Sequence, residues 1–209
     1  MRTVSILFAL ALLGGASSAQ SESPWYVQFG VGALFSENAK DVPGGNVGFS
    51  PGYAVDLAIG HRHPYSDRFR LNLEFELYHQ HFLVDAQDLR AIPSAVEEDN
   101  SAFAGLINGL LEWRFTPQYS VYGGFGLGWA KNVSYDAWDS GSLNQVDTSA
   151  LAYQAKLGFD YNLGGNYDVL LGYRYFRTTP IDIENLVSGQ VDSIDIAQHV
   201  IEATFRWGL

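Results

Sequence analysis

From Trp25 to its end the chain alternates apolar and polar residues in eight separate stretches. A period of two is the mark of a β-strand with one greasy face and one polar face, so this pattern restricts the fold more than any single motif does. The stretches cover about 25–35, 53–61, 68–78, 102–115, 119–130, 151–162, 167–176 and 198–209. In 68–78 the alternation is cleanest: Phe69, Leu71, Leu73, Phe75 and Leu77 face one way, Arg68, Arg70, Asn72, Glu74 and Glu76 the other. The last stretch sets Ile201, Ala203, Phe205, Trp207 and Leu209 against Val200, Glu202, Thr204, Arg206 and Gly208. An apolar strand at a chain end is an aggregation hazard in water, so its environment has to protect it.

The connectors alternate too. His63–Asp67, Thr116–Gln118 and Leu163–Asn166 are short and carry the Pro, Gly and Asn of tight reversals. Between them lie longer links, roughly 36–52, 79–101, 131–149 and 177–195. Short and long links around an even number of strands predict an all-β fold: an eight-stranded antiparallel up-and-down transmembrane β-barrel, with termini and short turns periplasmic and long loops outside.

A soluble barrel of the lipocalin kind alternates in the same way, and periodicity cannot say which face points outward. Volume separates the two readings. An eight-stranded barrel has an interior that side chains just fill. The charged face also carries Gly30, Gly32, Gly60, Gly124, Gly126, Gly128, Gly158 and Gly172, whereas the other face is Trp, Phe, Tyr and Leu almost throughout. Small residues among ion pairs suit a narrow lumen, so the greasy face is expected to meet lipid.

Residues 1–19 read as a secretory signal peptide, with Arg2, the apolar run Val4 to Leu13 and the small residues Ser17, Ser18 and Ala19. Residues 20–209 then form the barrel domain. There is no Cys, hence no disulfide framework and no thiolate metal site. The formal charge of −11 argues against nucleic acid as a partner.

The inward face is expected to hold the bases Arg68, Arg70, Arg114, Lys156, Arg174 and Arg206 and the acids Asp56, Glu74, Glu76, Glu112, Asp160, Asp168 and Glu202. Six against seven nearly cancels, as a lumen of costly buried charge requires. Neighbouring strands put Glu74 and Glu76 within reach of Arg114, and Lys156 near Arg174. A structural ion-pair network is the expectation, and a narrow gated path for small ions is the alternative.

On the outward face Trp25, Trp113, Phe115, Tyr119, Tyr161, Tyr167, Phe205 and Trp207 are expected at the periplasmic level. Phe35, Tyr53, Phe103, Trp129, Tyr153 and Tyr175 are expected at the outer level, the two girdles being separated by aliphatic residues. The long links hold fourteen acids against Lys40, Arg90, Lys131 and Arg177, so the negative charge concentrates outside. His61 with His63 and His79 with His81 are H-x-H pairs that lack an evident third ligand, so no metal and no cofactor are expected. A lipid hydrolase would need a nucleophile beside a His with an orienting acid. His79 or His81 with Asp85 comes nearest, and no catalysis is expected.

Three stretches, Pro117–Trp129, Tyr153–Asp160 and Leu170–Phe176, resemble the eight-stranded outer-membrane barrels of the opacity-type and OmpA-like surface antigens. The terminal strand resembles the signal read by the outer-membrane assembly machinery, although it ends in Leu209 where members of that family usually end in Phe. The resemblance covers about 25–209. It implies a bacterial outer-membrane location, contact with lipid and lipopolysaccharide, and a role as envelope stabiliser, adhesin or minor pore. A lipid A-modifying enzyme is a further alternative. Any host or surface ligand stays unnamed.

Overall fold

The computed structural model describes residues 23–37, 39–42, 45–85, 98–135, 149–184, 191–194 and 197–209. The expected signal peptide lies outside these residues, as do the side chains of all the loop acids except Glu37.

The strands are β1 (Trp25–Ser36), β2 (Ala39–Val42), β3 (Gly45–Pro64), β4 (Phe69–Asp85), β5 (Glu98–Arg114), β6 (Tyr119–Tyr135), β7 (Ser149–Gly164), β8 (Tyr167–Thr178), β9 (Ile181–Glu184), β10 (Val191–Ile194) and β11 (Ala197–Gly208). Eight of them, β1, β3 to β8 and β11, form one antiparallel sheet. It closes because β1 pairs with β3 on one side and with β11 on the other. Closure removes both sheet edges, which a spanning structure in lipid requires. The β1–β11 seam runs in register from Tyr26↔Gly208 to Ser36↔Gln198. Beyond the register, Leu209 N donates to Trp25 O at 2.9 Å and Glu37 N to Ala197 O at 2.8 Å. The short β2 extends the sheet beside β3, and β9 pairs with β10 apart from the barrel.

The three short turns follow from local chemistry. Ser66 Oγ accepts from Phe69 N at 3.1 Å, and Thr116 Oγ1 from Tyr119 N at 3.0 Å. In the third turn Gly164 and Gly165 adopt φ of 101° and 66°, where a side chain would be strained. Asn162 Oδ1 caps that turn by accepting from Gly164 N at 2.9 Å.

At the outer end the strands run further than the alternation suggests. β3 begins at Gly45 rather than 53, β4 continues to Asp85, β5 starts at Glu98, and β6 continues to Tyr135. Above the lipid both faces of a strand meet water, so the apolar–polar contrast fades while backbone pairing persists. β3 also continues past residue 61 to Pro64 at the lower end. Bulges fall between Ser50 and Tyr53 and between Ser101 and Ala102.

The apolar residues face outward: Phe125 is 74% exposed, Ile107 69% and Trp129 68%. No packed core lies on that side, so lipid must cover it. The polar residues of the same strands are buried, with Arg174, Asn72 and Glu76 at 0%.

Candidate functional site

The interior is layered. At the periplasmic end Arg62 is ion-paired with Asp168, which also accepts from Asn162 Nδ2 at 2.6 Å. Arg70 faces Glu112 at 3.5 Å, and Asn72 Nδ2 donates to Glu112 at 3.0 Å. Arg206 donates to Asp160 at 2.9 Å and to Gln28 at 3.1 Å, and lies 3.7 Å from Glu74. The Tyr26 ring packs against both the Arg62 and Arg206 guanidinium groups, at 5.1 and 4.6 Å, while its hydroxyl donates to Glu74 at 2.8 Å. Arg62, Arg70, Glu112, Asp160, Asn162 and Asp168 border a small pocket at the mouth that Arg114 also lines.

One layer further in, Arg174 joins three carboxylates: Glu76, Glu202 at 2.8 Å and Asp56 at 3.2 Å. Lys156 lies 3.4 Å from both Glu76 and Glu202. Asn108 Nδ2 donates to Glu76 at 2.6 Å and to Glu74 at 3.2 Å, and Gln154 Nε2 donates to Asn108 at 2.7 Å. The two ionic layers are therefore one connected network, with Asn108 as the hinge between them. Glycines opposite give this network room. A Cβ at Gly30 would strike the Asp56 carboxylate, at Gly60 the Tyr26 ring, and at Gly126 the Asn108 amide.

Toward the outer end the lumen changes character. Leu34, Ala54, Tyr78, Phe82, Ala104, Leu106, Ala130, Ala152, Phe176 and Val200 form one buried cluster, with a contribution from each of the eight barrel strands. Tyr78 joins the two regimes: its ring lies 5.0 Å from Phe176 in the apolar layer and 4.4 Å from the Arg174 guanidinium in the ionic one. A smaller apolar group, Leu110, Tyr122 and Leu170, interrupts the charged region lower down.

The sequence-derived inward residues Asp56, Arg70, Glu74, Glu76, Glu112, Arg114, Lys156, Asp160, Arg174, Glu202 and Arg206 all face the lumen or its mouth. Two of the placements expected from the alternation need correction. Arg68 is not a lumen base: it sits exposed in the turn before β4. Arg62 takes its place, because β3 continues past His61 and the inward parity of Asp56, Ala58 and Gly60 runs on to residue 62. That continuation was the available signal, and six bases against seven acids still holds. The pairing of Arg114 with Glu74 and Glu76 also gives way, because register sets Arg114 opposite Ser120 at the mouth and Glu76 beside Lys156 and Arg174.

Outside, the lower girdle is a chain of rings. Phe69 stacks on Trp113 at 6.5 Å, Trp113 meets Phe115 at 6.0 Å, Phe115 meets Tyr119 at 6.3 Å, and Tyr119 meets Tyr161 at 5.0 Å. Tyr167 contacts both Phe205 and Trp207, and Trp25 meets His61 edge-on at 4.8 Å. The outer girdle contains imidazoles: Tyr53 stacks on His81 at 5.1 Å, and His79 lies 4.3 Å from Phe103. The band between the girdles is not purely aliphatic, since Phe29, Phe75, Phe125 and Phe159 lie in it, about half or more exposed. Phe has no polar group to hold it at an interface, whereas Trp and Tyr do, and it is the outward Trp and Tyr that gather toward the two levels.

An antiparallel barrel that is apolar outside, ringed by Trp and Tyr and filled with paired charge defines a class, the outer-membrane barrels of bacteria. A family model described as the outer membrane protein beta-barrel domain matches residues 5–207, and the chain belongs to that family. No curated protein matches its sequence at a comparable level. Among solved structures it is similar to Neisserial surface protein A, with 14% identity over 91% of this chain and 100% of that one and a TM-score of 0.57. The outer membrane protein AlkL is 15% identical over 95% and 97%, with a TM-score of 0.54. OprG from Pseudomonas aeruginosa is 12% identical over 90% and 97%, with a TM-score of 0.50. At these identities the likeness is one of fold. The protein is located in the bacterial outer membrane.

Proposed function

We propose that this protein is a sealed, non-catalytic barrel that stabilises the envelope and presents its outer loops for adhesin-like contact with surface ligands. The observation that carries this reading is the apolar layer to which all eight strands contribute, lying above a connected ionic network. An ion crossing the lumen would lose its water among Leu34, Leu106, Phe176 and Val200, side chains with no polar group to replace it. Planar-bilayer recording on the refolded full chain tests this directly. The expected trace is flat, and discrete single-channel steps would instead favour the narrow-pore alternative.

Lipid and lipopolysaccharide are the partners of the outward face, and the terminal strand is read by the assembly machinery through its apolar side, Ile201 to Leu209. A lipid-modifying role has one arrangement in its favour. His199 on β11 lies between Glu37, with Nε2 to Oε1 at 3.0 Å, and the Tyr173 hydroxyl, 2.5 Å from Nδ1. The hydroxyl in that chain is a phenol rather than an aliphatic alcohol, a poorer start for acyl transfer. Lipid A from an overexpressing strain should show no mass change, and a changed mass would revive the enzyme reading.

A further inference from the structure

We propose that the lumen binds one small monovalent cation where its ionic and apolar layers meet, through Asp56, Tyr78 and Gln80 of β3 and β4. The surplus acid of the lumen has a definite place. Arg62, Arg70, Arg114 and Arg206 in the periplasmic half are matched by Glu74 and the three acids that border the mouth pocket. Further in, Arg174 and Lys156 face Asp56, Glu76 and Glu202, two bases against three acids among the described residues. None of these five is more than 4% exposed. An uncompensated charge at that depth is costly, so this layer calls for one more positive charge.

Hydrogen bonding singles out the oxygen that is left for it. Glu76 Oε1 accepts from Arg174, and its Oε2 from Asn108, Gln154 and Lys156. Glu202 has Arg174 on Oε2 and Lys156 3.4 Å from Oε1. Asp56 is held by Arg174 through Oδ2 alone, and its Oδ1 is buried with no donor. Two further oxygens share that condition, the Tyr78 hydroxyl and Gln80 Oε1. Both residues are at least nine-tenths buried, and register sets Tyr78 opposite Asp56 with Gln80 at the next inward position of β4. Asp56 and Tyr78 converge on one group, the Arg174 guanidinium, which lies 3.2 Å from Asp56 Oδ2 and 4.4 Å from the Tyr78 ring. Buried polar atoms without a partner call for an ion or a water, and carboxylate, hydroxyl and amide oxygens are the hard donors that alkali cations take. A single positive charge neutralises the layer, whereas a divalent ion would leave it positive. With the apolar cluster above and the paired charges below, the ion is a structural counter-ion captured as the barrel closes. This site stands whether or not the lumen conducts.

The test is urea unfolding of the refolded full chain in phosphatidylcholine vesicles, with ionic strength held fixed by tetramethylammonium, an ion too large for the site. Raising sodium or potassium about tenfold in its place should raise the folding equilibrium constant by up to about tenfold, since only the folded barrel binds the ion. The two arms show which alkali ion fits better. D56N brings the layer to two bases against two acids and should abolish the response. Y78F and Q80M keep the surplus charge but lose an oxygen ligand, so their response should shift to higher cation concentration. D160N, which removes an acid from the balanced half, should keep the wild-type response. Heat-modifiable gel mobility identifies any variant that fails to fold, and E202Q, which cancels the same surplus, then replaces D56N. A folding constant indifferent to the exchange of cations, or a D56N barrel with the wild-type response, would overturn the proposal.

Discussion

In the periplasmic half of the lumen Arg206, Glu74, Asp160 and Arg62 fill the cross-section with charge, whereas in the outer half Leu34, Leu106, Phe176 and Val200 fill it with hydrocarbon. Both halves use the inward positions of the same eight strands, and both pack side chains across the lumen. They do so by different physics. The ionic half is directional: each carboxylate has a named donor, and losing one partner strands the other in a low-dielectric interior. The apolar half is non-directional, so a missing group leaves a void rather than an uncompensated charge. The difference teaches that filling a narrow barrel and sealing it are separate tasks. On the proposed reading, charge pairs fill the lumen and pin the strands in register, while the apolar layer stops the passage of ions.

The comparison can be broken most severely at Arg174. Replacing it with Met strips Glu76, Glu202 and Asp56 of the guanidinium they share, leaving Lys156 beside Glu76 and Glu202, and should cost about 3–5 kcal/mol. Urea unfolding of the refolded barrel in lipid vesicles measures this. The double variant R174M/E76Q should recover part of the loss, and a neutral R174M would mean that the charged half does not hold the strands. In the apolar half, Phe176→Ala should cost about 3 kcal/mol through the cavity it leaves. It should also admit measurable single-channel conductance, which lumen substitutions in the charged half should not. A sealed F176A would move the barrier elsewhere in the lumen.

Gly60→Ala tests the fit between small and large residues in the lower half, since the new Cβ would collide with the Tyr26 ring. The expected loss is about 1–3 kcal/mol. Tyr26→Phe is milder. It removes only the 2.8 Å bond to Glu74, which keeps Asn108 and Arg206 as partners, and should cost about 1 kcal/mol in the same assay. If Y26F proved as damaging as R174M, the Tyr26 stack rather than the central ion cluster would be the keystone of the charged half.

Much of this was legible in the sequence. Strand number, the direction each side chain faces and the lower aromatic girdle all follow from a period of two and the volume of an eight-stranded lumen. The place where each strand ends was less clear. Arg62 was missed and Arg68 included because the alternation blurs at a turn, where both faces of the strand are wet. The apolar layer was visible only as anomalies: Leu34, Leu106 and Val200 sit on the polar parity of their strands, each alone looking like an exception.

Alternation is a local property of one strand, set by the pleat, so the chain by itself determined the barrel, its lipid-facing wall and a nearly neutral charged lumen. Which acid meets which base depends on register, and register is settled only when β1 closes against β11 and all eight strands find one common stagger. That closure decided that Glu76 joins Lys156 and Arg174 rather than Arg114. It also gathered the scattered exceptions Leu34, Leu106, Phe176 and Val200 into a single layer, because side chains from eight strands can meet only when the sheet has become a tube.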